Sequence, residues 1–333
     1  MSMAIVHGGG ITAAASLYGG QPRDWLDLST GINPNPLALP AIDQNVWHRL
    51  PDEHLATAAR EAAARHYRCG AILPLPVPGT QSVIQLLPRL ADPVRRIAIL
   101  SPTYGEYNRA FQAAGFAVDA VTELAAIGPQ HGLVVIVNPN NPTGRAFAAV
   151  ELQTFWARLQ AQKTLLVVDE AFSDTAPDLS LAPQVEAMPG LIVLRSFGKF
   201  FGLAGLRLGF VIAEAQVQAQ IDAWLGPWAV SGPALAVAAS AMAGGTMDLH
   251  RRINERKAAL TAVLQAAGLT IAGGTALFAL VADIQATALH DHLCRHHILV
   301  RKFDYDPSWL RFGLAPDAAS DARLAAALSD WKR

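Results

Sequence analysis

Ser196-Phe197-Gly198-Lys199-Phe200-Phe201-Gly202-Leu203-Ala204-Gly205-Leu206-Arg207-Leu208-Gly209 decides how this chain is read. The apolar run Leu191 to Leu194 reads as a strand that carries the stretch to a sheet edge. A serine, a lysine framed by glycine and aromatics, and an arginine eight residues further on follow it. Glycines let backbone approach a ligand closely and take dihedrals that other residues avoid. Desolvation among apolar neighbours disfavours the charged form of a lysine amine, which suits it to attack a carbonyl. The serine hydroxyl and the arginine fork are donors of the kind a phosphate needs. A lone lysine among glycines reads as a solvated loop. The combination reads as a site for a phosphorylated cofactor that carries an aldehyde.

The stretch resembles the lysine signature S-F-x-K-x-x-G-L-A-G-x-R-x-G of the fold-type I pyridoxal-phosphate enzymes of the aminotransferase family. The resemblance implies an α/β fold: a large domain with a mostly parallel central sheet flanked by helices, and a smaller C-terminal α+β domain. It implies pyridoxal 5'-phosphate as cofactor, with Lys199 bonded to its aldehyde and Ser196 and Arg207 on its phosphate.

The bulk properties agree with an enzyme. At 333 residues the chain is long enough for two domains. We expect an arm over 1–35, a large cofactor domain over 36–230, and a small domain with a connecting helix over 231–333. A net charge of -1, with 16% charged residues, lacks the electrostatic footprint of a nucleic-acid binder. Two cysteines, Cys69 and Cys294, give no disulfide framework. The start has neither the basic nor the apolar region of a signal peptide, and no apolar run reaches membrane-spanning length. A soluble, cytoplasmic protein is expected.

Other candidate ligands stand at the ends of apolar runs. Ile97 to Leu100 leads to Pro102-Thr103-Tyr104, and Leu133 to Val137 leads to Asn138-Pro139-Asn140-Asn141-Pro142-Thr143-Gly144. Leu165 to Val168 leads to Asp169-Glu170-Ala171-Phe172. Ligands of open α/β sheets bind at such carboxyl ends. Gly79-Thr80-Gln81 opens a helix, where free N–H groups favour an anion. In the family frame, Gly79, Thr80 and Gln81 join Ser196 and Arg207 on the cofactor phosphate. Tyr104 stacks on the pyridine ring and Asn141 donates to its ring oxygen. Asp169 keeps the ring nitrogen protonated, so that the ring accepts electrons. Tyr104, Asp169 and Lys199 form the catalytic set.

The opening His7-Gly8-Gly9 followed by Leu26-Asp27-Leu28-Ser29-Thr30-Gly31-Ile32-Asn33-Pro34 looks like the threonine-phosphate decarboxylase branch of the family. That likeness puts Gly31, Ile32 and Asn33 on the substrate side, with His7 toward its phosphate. Arg311 resembles the arginine that grips the substrate carboxylate, and Arg301 the one that holds a substrate phosphate; Asn141 would touch substrate as well. Two positions depart from relatives that carry tyrosine: Leu50, before Pro51-Asp52, and Phe172. His292 and His296 lie one helical turn apart, but nothing in the implied chemistry needs a metal, and none is expected.

The resemblance implies decarboxylation of L-threonine O-3-phosphate to (R)-1-aminopropan-2-yl phosphate and CO2 in cobalamin biosynthesis. A homodimer is implied too, with cobinamide-synthesis proteins as possible partners. Two alternatives stand beside it: a histidinol-phosphate aminotransferase, and a non-catalytic partner in a cobinamide-forming complex.

Overall fold

The structure, a computed structural model, describes residues 7–331. The chain forms two compact units. Of the described residues, the smaller takes 7–36, 142–144 and 247–331; the larger takes 37–141 and 145–246. The described part of the arm expected over 1–35 thus falls within the smaller unit, and residues 1–6 lie outside the described residues. The boundary expected at 230/231 lies at 246/247 in this division.

Thirteen strands among the described residues are numbered in chain order. β1 is Leu26–Asp27, β2 Leu75–Val77, β3 Arg96–Leu100, β4 Val118–Val121, β5 His131–Val137, β6 Leu165–Asp169 and β7 Leu191–Ser196. β8 is Gly209–Ile212, β9 Ile271–Thr275, β10 Phe278–Ala282, β11 Ile298–Leu299, β12 Arg301–Phe303 and β13 Asp306–Gly313. The larger unit is built on a seven-stranded sheet in the order β2-β8-β7-β6-β5-β3-β4. β4, β3, β5, β6 and β7 pair in parallel; β8 is antiparallel to both β7 and β2. Every residue of β5 is buried, which is why its sequence runs apolar instead of alternating.

Helices cover this sheet. Asp52 accepts from the Leu55 N–H at 3.3 Å and so caps the helix Glu53–Tyr67. That helix packs its alanines, Ala59, Ala62 and Ala63, toward the helix Gly232–Ala243. Small side chains on both helices keep the two axes close. This contact places residues 232–243 in the larger unit.

The smaller unit has a four-stranded antiparallel sheet, β12-β13-β10-β9, and the parallel pair β1-β11. A single strand over 298–301 is expected from the sequence. It divides at Val300 instead: β11 pairs with β1, and β12 pairs with β13. The strand expected from Leu206 begins at Gly209, because Arg207 turns left-handed (φ 54) after the turn Ala204–Leu206.

The edge strand β4 is fastened by charge. Arg96 Nε donates to Asp119 at 2.6 Å, and His131 Nε2 lies 3.0 Å from the same carboxylate. Arg96 is the main cause that brings the Asp119 pKa down to about 2. An acid whose folded pKa is depressed stabilises the fold above its unfolded value, and that stability is lost as pH falls toward the folded one. Asp119→Asn should therefore flatten the acid limb of stability between about pH 4 and pH 2. The loss at neutral pH should be on the order of 1 kcal/mol, given solvent screening at this partly exposed site. Urea midpoints measured across that range check it.

Candidate active site

Pairing direction gathers the proposed cofactor residues. β2, β3, β5, β6 and β7 all run the same way, and β8 runs against them. Gly79-Thr80-Gln81 after β2, Tyr104 after β3, Asn141 after β5, Asp169 ending β6 and Ser196 ending β7 therefore reach one edge. Lys199 follows in the short helix Phe197–Phe200, and Arg207 precedes β8 at the same edge.

Asp169 is 4% exposed. Its Oδ2 accepts from the Tyr107 hydroxyl at 2.7 Å, and its Oδ1 from the Ala171 N–H at 2.9 Å. Burial pushes the carboxyl up; the Tyr107 bond, the Ala171 N–H and the charges of Lys199 and Arg195 oppose this. Tyr104 is half-buried, and its hydroxyl donates to Gln81 Oε1 at 3.1 Å. Gln81 Nε2 donates to the buried Glu106 at 2.9 Å. Both ends of the Gln81 amide thus serve the aromatic, a role the sequence did not suggest.

The turn after β5 is braced from within. Asn138 bonds both ways with the backbone of Phe147, and Asn140 takes the Thr103 hydroxyl at 2.6 Å while donating to the Pro102 carbonyl. Two of the three asparagines hold the loop that carries the third, the half-buried Asn141.

At Gly79 (φ 76) a Cβ would come within 2.9 Å of Arg207 Nη2. The positive φ favours glycine here, and the guanidinium lies over the turn. The Ser196 side chain makes no capping bond to its helix, so its hydroxyl stays available at the same edge.

Behind the edge lies a charge cluster. Arg195, 3% exposed, bonds Glu170 at 2.8 Å and Asp174 at 3.0 Å. Glu170 also accepts from Ser180 and from the Leu181 N–H, and Asp174 lies 3.0 Å from His66 Nε2. Burial favours the neutral acid at Asp174, but Arg195 and His66 outweigh it and hold that carboxyl below its usual range.

In the smaller unit, Arg301 and Arg311 are directly paired across β12 and β13. Arg311 is buried, donates to the Ser29 carbonyl at 2.7 Å, and lies over the Phe278 ring. Burial first, then the charge of Arg301, brings its pKa down to about 10. The Gly313 N–H donates to Leu28 O at 2.6 Å, which docks the segment leading to Gly31, Ile32 and Asn33 onto β13. Gly31 and Asn33 are buried and Ile32 half-buried; Asn33 Oδ1 accepts from the Asn35 N–H at 3.0 Å. His7 is exposed, and beside it Gly9 donates to Ser29 Oγ at 2.7 Å. His292 Nε2 donates to the Ala327 carbonyl at 2.7 Å. Among the described residues, no cluster of three His, Cys, Asp or Glu side chains is arranged to hold a metal ion. No helix among them is long and apolar enough to cross a membrane.

The family model for aminotransferase class I and II matches residues 23–328. The chain belongs to this family. It is 60% identical over 329 residues to a threonine-phosphate decarboxylase of Sinorhizobium sp, covering 99% of both chains. It is 45% identical over 333 residues to a threonine-phosphate decarboxylase of Pseudomonas aeruginosa, covering 98% of both. Among solved structures, a histidinol-phosphate aminotransferase from Sinorhizobium meliloti, in complex with pyridoxal-5'-phosphate, has a TM-score of 0.84 at 24% identity. That match covers 98% of this chain and 94% of the other. At this identity the likeness shows the fold alone.

This member of aminotransferase class I and II has residues that fit the family's cofactor, pyridoxal 5'-phosphate. A buried acid, a lysine, an aromatic ring and a glycine turn under a guanidinium share one sheet edge. Tyr107, Glu170, Arg195 and His66 are additions the sequence reading missed. Arg195 directly follows the apolar run 191–194, and a charge continuing such a strand needs a buried partner. That signal was available.

Removing Arg195 leaves two enclosed carboxylates without their cation. Arg195→Met should cost about 3–5 kcal/mol. Glu170→Gln keeps one of the two acceptor oxygens and leaves Arg195 paired with Asp174, so it should cost less. Chemical unfolding of both variants tests this order.

Proposed function

We propose that this protein decarboxylates L-threonine O-3-phosphate, releasing CO2 and (R)-1-aminopropan-2-yl phosphate for cobalamin biosynthesis. The observation that carries this reading is the full-length identity with threonine-phosphate decarboxylases, far above that with the aminotransferase of similar fold. When bound, pyridoxal phosphate supplies an aldehyde for the substrate amine and a cationic ring that accepts the electron pair of the broken Cα–carboxylate bond.

The chain's own residues then have distinct tasks. Lys199 would hold the cofactor, and its protonated amine would be the acid that supplies a proton to the substrate Cα. Asp169 would hold the proton at the ring nitrogen, Tyr104 would cover one ring face, and Asn141 would donate to the ring oxygen and border the substrate. Ser196, Arg207 and the Gly79-Thr80-Gln81 turn take the cofactor phosphate. Arg311 takes the substrate carboxylate and Arg301 its phosphate, with His7, Gly31, Ile32 and Asn33 on the substrate side. The direct pairing of Arg301 with Arg311 supports a substrate with two anionic groups. Phe172 offers no second donor to the ring oxygen.

A cytoplasmic homodimer belongs to this reading. Leu39, Trp47, Leu50 and Trp228 on the larger unit are each more than half exposed in the single chain, apolar area that a partner copy could cover. Leu50 would contribute apolar area there, not a hydrogen bond. Cobinamide-synthesis proteins are further candidate partners.

Incubation with L-threonine O-3-phosphate, with and without 2-oxoglutarate, separates the readings. We expect CO2 without glutamate. Glutamate would make the protein a transaminase of the histidinol-phosphate type, and neither product would make it a non-catalytic partner. Arg311→Gln should weaken substrate binding roughly 10- to 150-fold, the worth of a hydrogen bond to a charged group. Cofactor binding should persist; unchanged substrate affinity removes Arg311 from the site.

A further inference from the structure

We infer that Tyr107 is a positioning residue that keeps the Asp169 carboxylate charged and aimed at the ring nitrogen of the bound cofactor. This rests on the reading of Asp169 given above. Tyr107 is wholly enclosed in the main core of the larger unit, among residues such as Ile97, Leu133, Val135 and Val167. Phenylalanine would fill that space equally well. The hydroxyl is therefore the feature that packing does not explain, and it donates to Asp169 Oδ2 at 2.7 Å.

The geometry suits a fixed acid. Tyr107 lies on the first turn of the helix Glu106–Ala113, and its ring stands edge-on to Tyr104 with centroids 6.3 Å apart. The two tyrosines, one turn apart, thus face the acid and the ring-stacking position respectively. With Ala171 N–H on Oδ1, each carboxylate oxygen takes one bond, and a carboxylate has capacity for more. The orientation of the carboxylate is set while lone pairs remain for a ring N–H.

The electrostatics follow from the same contact. The groups acting on Asp169 are Tyr107, Lys199 and Arg195, and Tyr104 stands beside Tyr107. Burial opposes the charged acid, and the Tyr107 bond is foremost among the groups that favour it. Burial and the Asp169 charge push the Tyr107 hydroxyl well above the usual tyrosine range. It therefore stays a neutral donor, and a neutral donor favours the ionised form of its acceptor. Without it, the Asp169 pKa rises, and the carboxylate is lost at a higher pH as acid is added.

Tyr107→Phe removes one oxygen and keeps the ring. Compared with the wild-type holoenzyme, we expect roughly tenfold weaker binding of pyridoxal phosphate by equilibrium dialysis. The acid limb of kcat should shift to higher pH, with KM for the substrate little changed. In a double-mutant cycle with Asp169→Asn, the double variant should bind cofactor no worse than Asp169→Asn alone, since Tyr107 acts through Asp169. Unchanged cofactor affinity and pH profile in Tyr107→Phe would overturn the inference while leaving the Asp169 assignment standing, as would losses that simply multiply in the double variant. If Asp169→Asn itself binds cofactor like wild type, the Asp169 assignment falls and takes this inference with it.

Discussion

Arg195 is a full positive charge sealed in the interior between Glu170 and Asp174. A lone charge could not remain there, because its desolvation cost far exceeds what packing returns. Its partners make it tolerable, and they also decide where chain segments lie. Glu170 directly follows β6, which ends in Asp169; Arg195 and Ser196 end β7. The ion pair therefore fastens together the two strand ends that carry the acid and lead to the lysine. Asp174 extends the tie to His66 on the helix Glu53–Tyr67, whose ring lies against Phe201, two residues past Lys199.

Such fastening matters because the chemistry supplied here is orientation. The sheet contributes stiffness: β5, β6 and β7 are apolar and almost wholly buried, so their ends cannot shift singly. Each strand then presents one group at the common edge. The loops are braced in turn by side chains, Asn138 and Asn140 around Asn141, and Gln81 bonded to Tyr104. A site assembled from neighbouring strand ends is as rigid as the sheet that carries it.

This explains which parts were legible in the sequence. Lys199, Asp169, Asn141 and Tyr104 each follow an apolar run, and a strand end in a parallel sheet points to a ligand edge whatever the strand order. The family and the fold class could be read from those motifs. Tyr107 could not, because its role depends on β3 lying two places from β6 in the sheet, which the order along the chain does not state. The partners of Arg195 were hidden for the same reason, although the need for partners was visible. The division at Val300 was also hidden: 298–303 is uniformly strand-like, and only pairing with β1 and then β13 separates the two halves.

The pair of arginines in the smaller unit bears on the bond that breaks. Asp169, Asn141 and Tyr104, the residues proposed to serve the ring, suit loss of CO2 and loss of a proton equally. Which bond stands perpendicular to the ring must be set by the groups that hold the substrate's anionic ends. Arg301 and Arg311 are directly opposed across an antiparallel pair, so their Cβ atoms are about 5 Å apart. Like charges so placed repel, and the repulsion is relieved when anions come between or beside them. Ser29 O already fixes one fork, that of Arg311, so it has fewer orientations to lose on binding a carboxylate. On the proposed assignment, the choice between lyase and transaminase rests on how two guanidinium groups hold the substrate, and not on the lysine that first identifies the family.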